Sequence, residues 1–231
     1  MSRENPLWGA PRIQAELAKL GIELSEPTVA KYMVRVRKPP PQAWLTFLRN
    51  HTGAMVSIDF FTVPTATFRI HCVFLVLPHN RRKVLYFNVT DHPSAMWTGR
   101  QLIQAFPWDT APKYLLRDRD KIYGPEFQRA ADNLRFQQIV TSPRSPWQNP
   151  YVERVIGSIR RECLDHVIIF NETHLPKVLR KYLDYYHESR THLGLEKDCP
   201  LPRPVEPPEM GDVVSIPHLG GLHHRYTRKA A

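Results

Sequence analysis

Three acidic residues carry the strongest chemical possibilities in this chain. Asp59 interrupts an apolar run, Val56-Ser57-Ile58-Asp59-Phe60-Phe61, where an unpaired carboxylate is costly to bury. Asp118 follows Leu115-Leu116-Arg117 and precedes Arg119 and Asp120, at a strand end of the kind where α/β sheets present functional groups. Glu153 lies on a helix that Pro150 opens; Val152, Val155, Ile156 and Ile159 form its apolar stripe, and Gly157 and Arg160 share the Glu153 face. Each acid also has an ordinary reading. Asp59, opposite Ile58 in the alternation, can face solvent; Asp118 and Asp120 can pair with the neighbouring arginines; Glu153 can be a surface glutamate. Taken together the three are more specific. Carboxylate oxygens are the ligands that Mg²⁺ or Mn²⁺ prefer, and two such ions ~3.5–4 Å apart can activate an attacking oxygen and stabilise a leaving one in phosphodiester displacement.

The elements that must position these acids are legible as patterns. Strands are predicted over residues 55–61, 68–77 and 84–90, then a helix over 94–106 capped by Ser94, a strand over 114–117 and a helix over 125–134. A strand over 136–140, a proline-broken loop over 141–149, and helices over 150–164 and 173–186 complete the series. The order βββ-α-β-α-β-α-α predicts an α/β fold, a mixed five-stranded sheet flanked by helices, within a core spanning 53–198.

Residues 1–38 read as two short helices. Pro11 stands in a first turn, Ile13, Leu17 and Leu20 share a face, Gly21 ends the first helix, and Ser25 and Pro27 open the second, whose apolar side is Val29, Tyr32 and Met33. With Lys31, Arg35, Arg37 and Lys38 on the second helix and its exit, this is a helix-turn-helix-like, DNA-binding pattern, or else a plain helical hairpin with solvated lysines. Pro39, Pro40 and Pro41 begin a stiff linker, 39–52. A Pro-rich and basic tail, 199–231, is expected to be extended or weakly ordered until bound.

Charge narrows the partners. The 231 residues hold 32 Lys and Arg against 22 Asp and Glu, a formal charge of +10, which excludes an acidic solvating chain and favours a polyanion. Residues 1–52 contribute eight basic against four acidic residues, and residues 212–231 three against one. Charge alone does not separate nucleic acid from an anionic membrane surface. The longest apolar run in the first half, residues 72–77, is far below the ~18 residues of a membrane span, and residues 1–9 hold no signal-peptide apolar region, so a cytoplasmic, nucleoid-associated protein is expected. Cys72, Cys163 and Cys199 are too widely spaced for a C-x-x-C zinc pair.

The acids and their surroundings resemble the DDE transposases and retroviral-type integrases, bacterial insertion-sequence transposases included, over about residues 53–195. In that family the first acid is on the first strand, the second just after the fourth, and the glutamate on the helix after the fifth; Asp59, Asp118 and Glu153 hold those places, the last two separated by 34 residues. Tyr123, five positions after Asp118, Gly124-Pro125-Glu126-Phe127, and Ser145-Pro146-Trp147-Gln148-Asn149-Pro150-Tyr151-Val152-Glu153 are similar to family motifs, as is the stretch 185–195. Asp120 stands where the family often has glycine, which makes it an alternative second acid. The resemblance implies a ribonuclease H-like fold, Mg²⁺ or Mn²⁺, as two ions, at Asp59, Asp118 and Glu153, and DNA cleavage and strand transfer by a polynucleotidyl transferase. It implies element ends and target DNA as partners, a homo-oligomer on DNA, and no membrane. Arg160, Arg154 and Arg161 are candidates for phosphate contact, with Lys31 and Arg35 from the N-terminal segment; Trp147 or Tyr151 can stack on a splayed base or pack in the core. Two other readings remain at this level: an inactive DNA-binding remnant, and a ribonuclease H-like nuclease without strand transfer.

Overall fold

A computed structural model describes residues 10–33, 42–80, 82–143 and 145–230. It divides into two compact units, 1–42 and 43–231. In the first, α1 (Ala10–Lys19) and α2 (Glu26–Tyr32) pack Ala10, Ile13 and Val29 together, with Leu17, Ala30 and Met33 around them. Gly21 takes φ +76°, and the Ile22 N–H returns to the Leu17 carbonyl, closing α1 as a glycine C-cap does. Ser25 occupies the N-cap position of α2, but its hydroxyl bonds the Thr28 hydroxyl at 2.8 Å and no backbone N–H. Tyr32, expected on the apolar side, is 75 % exposed. Arg35, Arg37, Lys38 and Pro39–Pro41 lie outside the described residues.

The second unit opens differently from the expected linker, because residues 42–50 fold as α3 (Gln42–Asn50). Trp44, Phe47 and Leu48 fall at i, i+3, i+4, a helical spacing, and they pack on Met55, Tyr114, Leu116 and Ile139. The sheet comprises β1 (Met55–Pro64), β2 (Ile70–Pro78), β3 (Tyr86–Thr90), β4 (Tyr114–Arg117) and β5 (Gln137–Val140), in the order β3-β2-β1-β4-β5. β1 is antiparallel to β2 and parallel to β4, and β4 is parallel to β5. β1 is therefore central, with a hydrogen-bonded neighbour on each side and a helical layer on each face.

Alternation along the strands feeds two cores. Val56, Ile58, Phe74, Val76 and Leu115 join α4 (Ala95–Ala105) and α5 (Pro125–Asn133) on one face. Phe61, Val63, Val73, Leu75 and Leu77 join α6 (Pro150–Glu162) and α7 (His174–Glu188) on the other. The Ser94 hydroxyl accepts the Trp97 N–H at 3.2 Å, capping α4 as its sequence predicts. α4 and α5 meet at Gly99, where a Cβ would come within 3.2 Å of Ala130 Cβ and the Glu126 carbonyl, so any larger residue would push the two helices apart by a few tenths of an ångström.

The tail is not an extended arm. It folds as a hairpin of β6 (Asp212–His218) and β7 (His223–Lys229), turned through Leu219, Gly220 and Gly221, all with positive φ. Tyr185 of α7 stacks on His223 at 4.4 Å, and His223 Nε2 lies 2.6 Å from the Glu162 carbonyl oxygen. Glu206 fastens the base, its carboxylate accepting from the Thr227 hydroxyl and the Arg228 N–H.

Candidate active site

The sheet register brings the first two acids to one edge of the fold. β1 and β4 run parallel and pair Ser57 with Leu116; two residues further along each strand stand Asp59 and Asp118. Glu153 comes from the first turn of α6. Asn149, the N-cap residue of α6, sends its Nδ2 to the Ile58 carbonyl at 3.4 Å, tying the helix start to the residue before Asp59. The three acids line one cavity of about 290 Å³ with Asp120, Thr141 and Asn149. Asp59, Asp120 and Glu153 also border a wider cleft of about 730 Å³, whose wall includes Phe60, Lys121 and Arg160.

Asp59 does not point to solvent. Asp59 is half-buried, on the side of β1 that carries Phe61 and Val63 towards α6 and α7, while Thr62 and Pro64 further along the strand are exposed. Burial raises its carboxyl to about 7, against the one hydrogen bond it accepts from the Phe60 N–H at 2.8 Å; the charges of Glu153, Asp118 and Asp120 push the same way. Glu153 is raised as well, by desolvation first and then by Asp118. The cavity therefore gathers the carboxyl groups of Asp59, Asp118, Asp120 and Glu153 beside Arg119.

The neighbouring arginines bond to groups other than these carboxylates. Arg117 is buried, donating Nε to Gln138 Oε1 at 2.9 Å and Nη1 to the Asp118 carbonyl, and Arg119 donates to the Thr141 carbonyl at 3.0 Å. Among the described residues neither forms an ion pair with the acids, so the ordinary pairing expected around Asp118 is not what the fold builds. Asp118 Oδ1 instead accepts the Asp120 N–H at 3.1 Å, and Asp120 Oδ1 the Ile122 N–H at 3.0 Å, consecutive side-chain turns that stiffen the loop.

Of the predicted basic residues, Arg160 reaches the acids' neighbourhood. It is exposed, lines the wide cleft, lies over the Phe61 ring at 5.6 Å and donates to the Thr62 carbonyl at 3.3 Å. Arg154 and Arg161 are exposed on α6 but line neither cavity; the Arg161 guanidinium lies over Gly157. Lys31, in the N-terminal unit, is exposed beside Tyr32, and Arg35 falls outside the described residues. Tyr151 packs edge-on to His79 at 4.7 Å with Arg82 over its ring, the packing role rather than a free stacking platform.

Among the described residues no three His, Cys, Asp or Glu side chains are gathered closely enough to hold a metal ion as they stand. Their chemistry nonetheless suits a hard divalent cation: the donors are oxygens, and Asn149, only 4 % exposed, borders the same cavity with a buried Oδ1 that has no hydrogen-bond partner among the described residues. Holding an ion requires the carboxylates to turn inward. Asn149 was not foreseen as a site residue. Its signal was the Asn-Pro pair that opens α6, which reads first as a helix start.

Comparison with known proteins bears on the fold that carries these residues. Residues 134–200, which contain Glu153, match the family model described as "Integrase core domain". The chain is 30 % identical over 172 residues to an uncharacterized 31.7 kDa protein of insertion element IS407 from Burkholderia multivorans, covering 66 % of this chain and 61 % of that protein. The chain thus spans somewhat less than two thirds of the relative's length. In fold it is similar to the Mos1 transposase catalytic domain solved with raltegravir and Mn, with a TM-score of 0.53 at 12 % identity over 62 % of this chain and 77 % of that one. It is also similar to a chain of the simian T-cell lymphotropic virus intasome in complex with PP2A regulatory subunit B56 gamma, with a TM-score of 0.51 at 15 % identity over 92 % and 82 %. The mixed five-stranded sheet with its flanking helices is the ribonuclease H-like fold of such cores.

Proposed function

We propose that this chain, which carries an integrase core domain and resembles an insertion-element protein, cuts and joins DNA as a metal-dependent polynucleotidyl transferase of a mobile element. One observation carries the reading: Asp59, Asp118 and Glu153, from a central strand, a strand end and a helix start, line one cavity.

In this reading Asp59, Asp118 and Glu153 hold Mg²⁺ or Mn²⁺, as two ions. When bound, the metal supplies Lewis acidity at the scissile phosphate and lowers the pKa of the attacking hydroxyl. The chain's own residues do the rest. Asn149 ties α6 to β1, so that the acids share one wall. Arg160, beside Asp59 and Glu153 in the wide cleft, binds a phosphate of the strand being cut. Lys31 and Arg35 of residues 1–38, with Arg154 and Arg161, add contacts further along the duplex. Water is the attacking group for cleavage, and the freed 3′ hydroxyl for joining, so no protein nucleophile is required. Asp118 is favoured over Asp120 as the second acid because the β1–β4 register sets it two residues beyond the Ser57–Leu116 pair, level with Asp59. We place the activity in the cytoplasm at the nucleoid, on paired DNA ends held by more than one copy; no described helix is long and apolar enough to cross a membrane.

The test is cleavage and joining of labelled element-end DNA under Mg²⁺ or Mn²⁺. Asp59→Asn is expected to abolish both while leaving DNA binding largely intact, and unchanged nicking by that variant would refute the assignment. A pre-nicked end substrate separates the two steps: joined product supports a transferase, and cutting without joining identifies a nuclease.

A further inference from the structure

The wide cleft beside the acids does not end at Arg160. Thr62 and Arg160 belong also to a second cavity, of about 380 Å³, further along β1 and α6. Beyond them its lining turns apolar: Val63 and Pro64 from the end of β1, Leu164 just past α6, and Val167, Ile168 and Ile169 from the loop that follows. Val63 and Ile169 are buried, whereas Ile168, 68 % exposed, stands open to solvent. The two walls are tied to each other, because the Ala66 N–H of the β1–β2 turn donates to the Ile169 carbonyl at 2.7 Å. The turn is itself fixed by the Thr65 N–H, which donates to the Arg69 carbonyl at 2.8 Å.

The order of chemistry along this groove matches a nucleotide strand. Carboxylates stand at one end, an arginine next and an apolar pocket beyond it, as a scissile phosphate, a neighbouring phosphate and a base require. Arg160 comes seven residues after Glu153 on α6, ~10.5 Å along the helix, and Val63 four residues after Asp59 on β1, ~13 Å along the strand. At ~3.4 Å per nucleotide of a stacked strand, the pocket is about three to four nucleotides from the acids. Asp165 is exposed on its lining, and a carboxylate there repels a further phosphate, which turns the backbone away and a base face in. Covering the face of a base with aliphatic side chains is favourable through the apolar area removed from water.

We propose that this pocket takes one unstacked base of the DNA strand being cut, about three to four nucleotides from the scissile phosphate. The inference rests on reading the acids as the cutting site. A nucleotide offers both groups that the groove separates, a phosphate for Arg160 and an apolar face for Val63, Ile168 and Ile169.

The experiment places 2-aminopurine, an adenine analogue whose fluorescence rises when it leaves the base stack, at successive positions to either side of the cut in element-end DNA, with the full chain bound in EDTA. Brightening is expected about three to four nucleotides from the cut and is lost in Ile168→Asp, which sets a charge in the pocket at an exposed position. The affinity of Ile168→Asp for the intact end is expected to fall about tenfold, while on an end lacking that base it matches the unsubstituted chain. No brightening at that distance, or equal losses on the intact and the abasic end, overturns the inference; if Asp59→Asn still abolishes cutting, the proposed function stands. Undiminished cutting by Asp59→Asn overturns the proposed function and the inference together. If the unsubstituted chain sediments as a dimer without DNA and Ile168→Asp as a monomer, a second copy covers the pocket, which also overturns the inference.

Discussion

Glu153 and Glu162 stand on one helix, the first in its opening turn and the second at its last residue, and their surroundings are opposite. Glu162 is satisfied. Burial would raise its carboxyl, but Arg190 grips it through Nε and Nη2, both at 2.6 Å, and the Tyr182 hydroxyl adds a third donor at 3.0 Å, so the carboxyl falls below its usual range. Glu153 shares a cavity with three aspartates and is raised. One end of α6 spends its carboxylate on holding the fold together. The other keeps a carboxylate among like charges, an arrangement that adds nothing to stability and that, in the proposed function, a cation brought from outside would offset.

The sharpest way to break this contrast is to neutralise each glutamate separately. Glu153→Gln is expected to lower DNA cleavage by about a thousandfold or more, ~4 kcal/mol in the barrier, without lowering the melting temperature, since like-charge repulsion is relieved. Glu162→Ala should do the reverse. It strands Arg190, and with both side chains about a quarter exposed the loss in unfolding free energy is about 2–3 kcal/mol, measurable by urea denaturation, while the folded fraction still cleaves. If Glu153→Gln unfolds the protein, or Glu162→Ala abolishes turnover in folded material, the two ends are not divided as described.

Acidity sharpens the same contrast. Because the folded Glu162 carboxyl lies below its unfolded value of 4.5, its stabilisation is complete above that value and is lost as pH falls through the folded one. The stability gap between the unsubstituted chain and Glu162→Gln should be widest near neutrality and close in acid, as followed by melting temperature against pH.

Smaller effects probe the cavity's edges. Arg160→Ala should weaken DNA binding by about 1 kcal/mol and lower the salt slope by about one, with Arg154→Ala weaker in both because that side chain lines neither cavity. Asp120→Asn should change cleavage by less than about tenfold. A loss as large as that of Glu153→Gln would make Asp120 the second acid in place of Asp118.

Much of this was legible before any coordinates. The strand at residues 114–117 and the Ser94 cap fall where local pattern puts them, because short apolar runs and caps are local signals. Helix α3 and the tail hairpin were hidden by louder composition. Three prolines drew the eye from the spacing of Trp44, Phe47 and Leu48, and the basic residues of the tail overshadowed Gly220-Gly221, which turns the hairpin. Within the site, alternation suggested a solvent-facing Asp59, since period-two reasoning does not reveal whether a strand is central. The Arg190 clamp on Glu162 joins residues 28 apart, and the apolar pocket beyond Arg160 brings the end of β1 together with the loop after α6; neither leaves a mark in local sequence.

The placement of Asp59 in the central strand also orders events during synthesis. A nascent chain acquires both aspartates, and can begin to pair β1 with β2, before the residues of α6 have been made. Asn149, which ties that helix to the Ile58 carbonyl, and Glu153 follow together. A chain released early, after β5 but before α6, would keep most of the sheet yet lack both the tie and the third carboxylate. Truncation between β5 and residue 149 therefore keeps the residues of all five strands and removes both the Asn149 tie and Glu153.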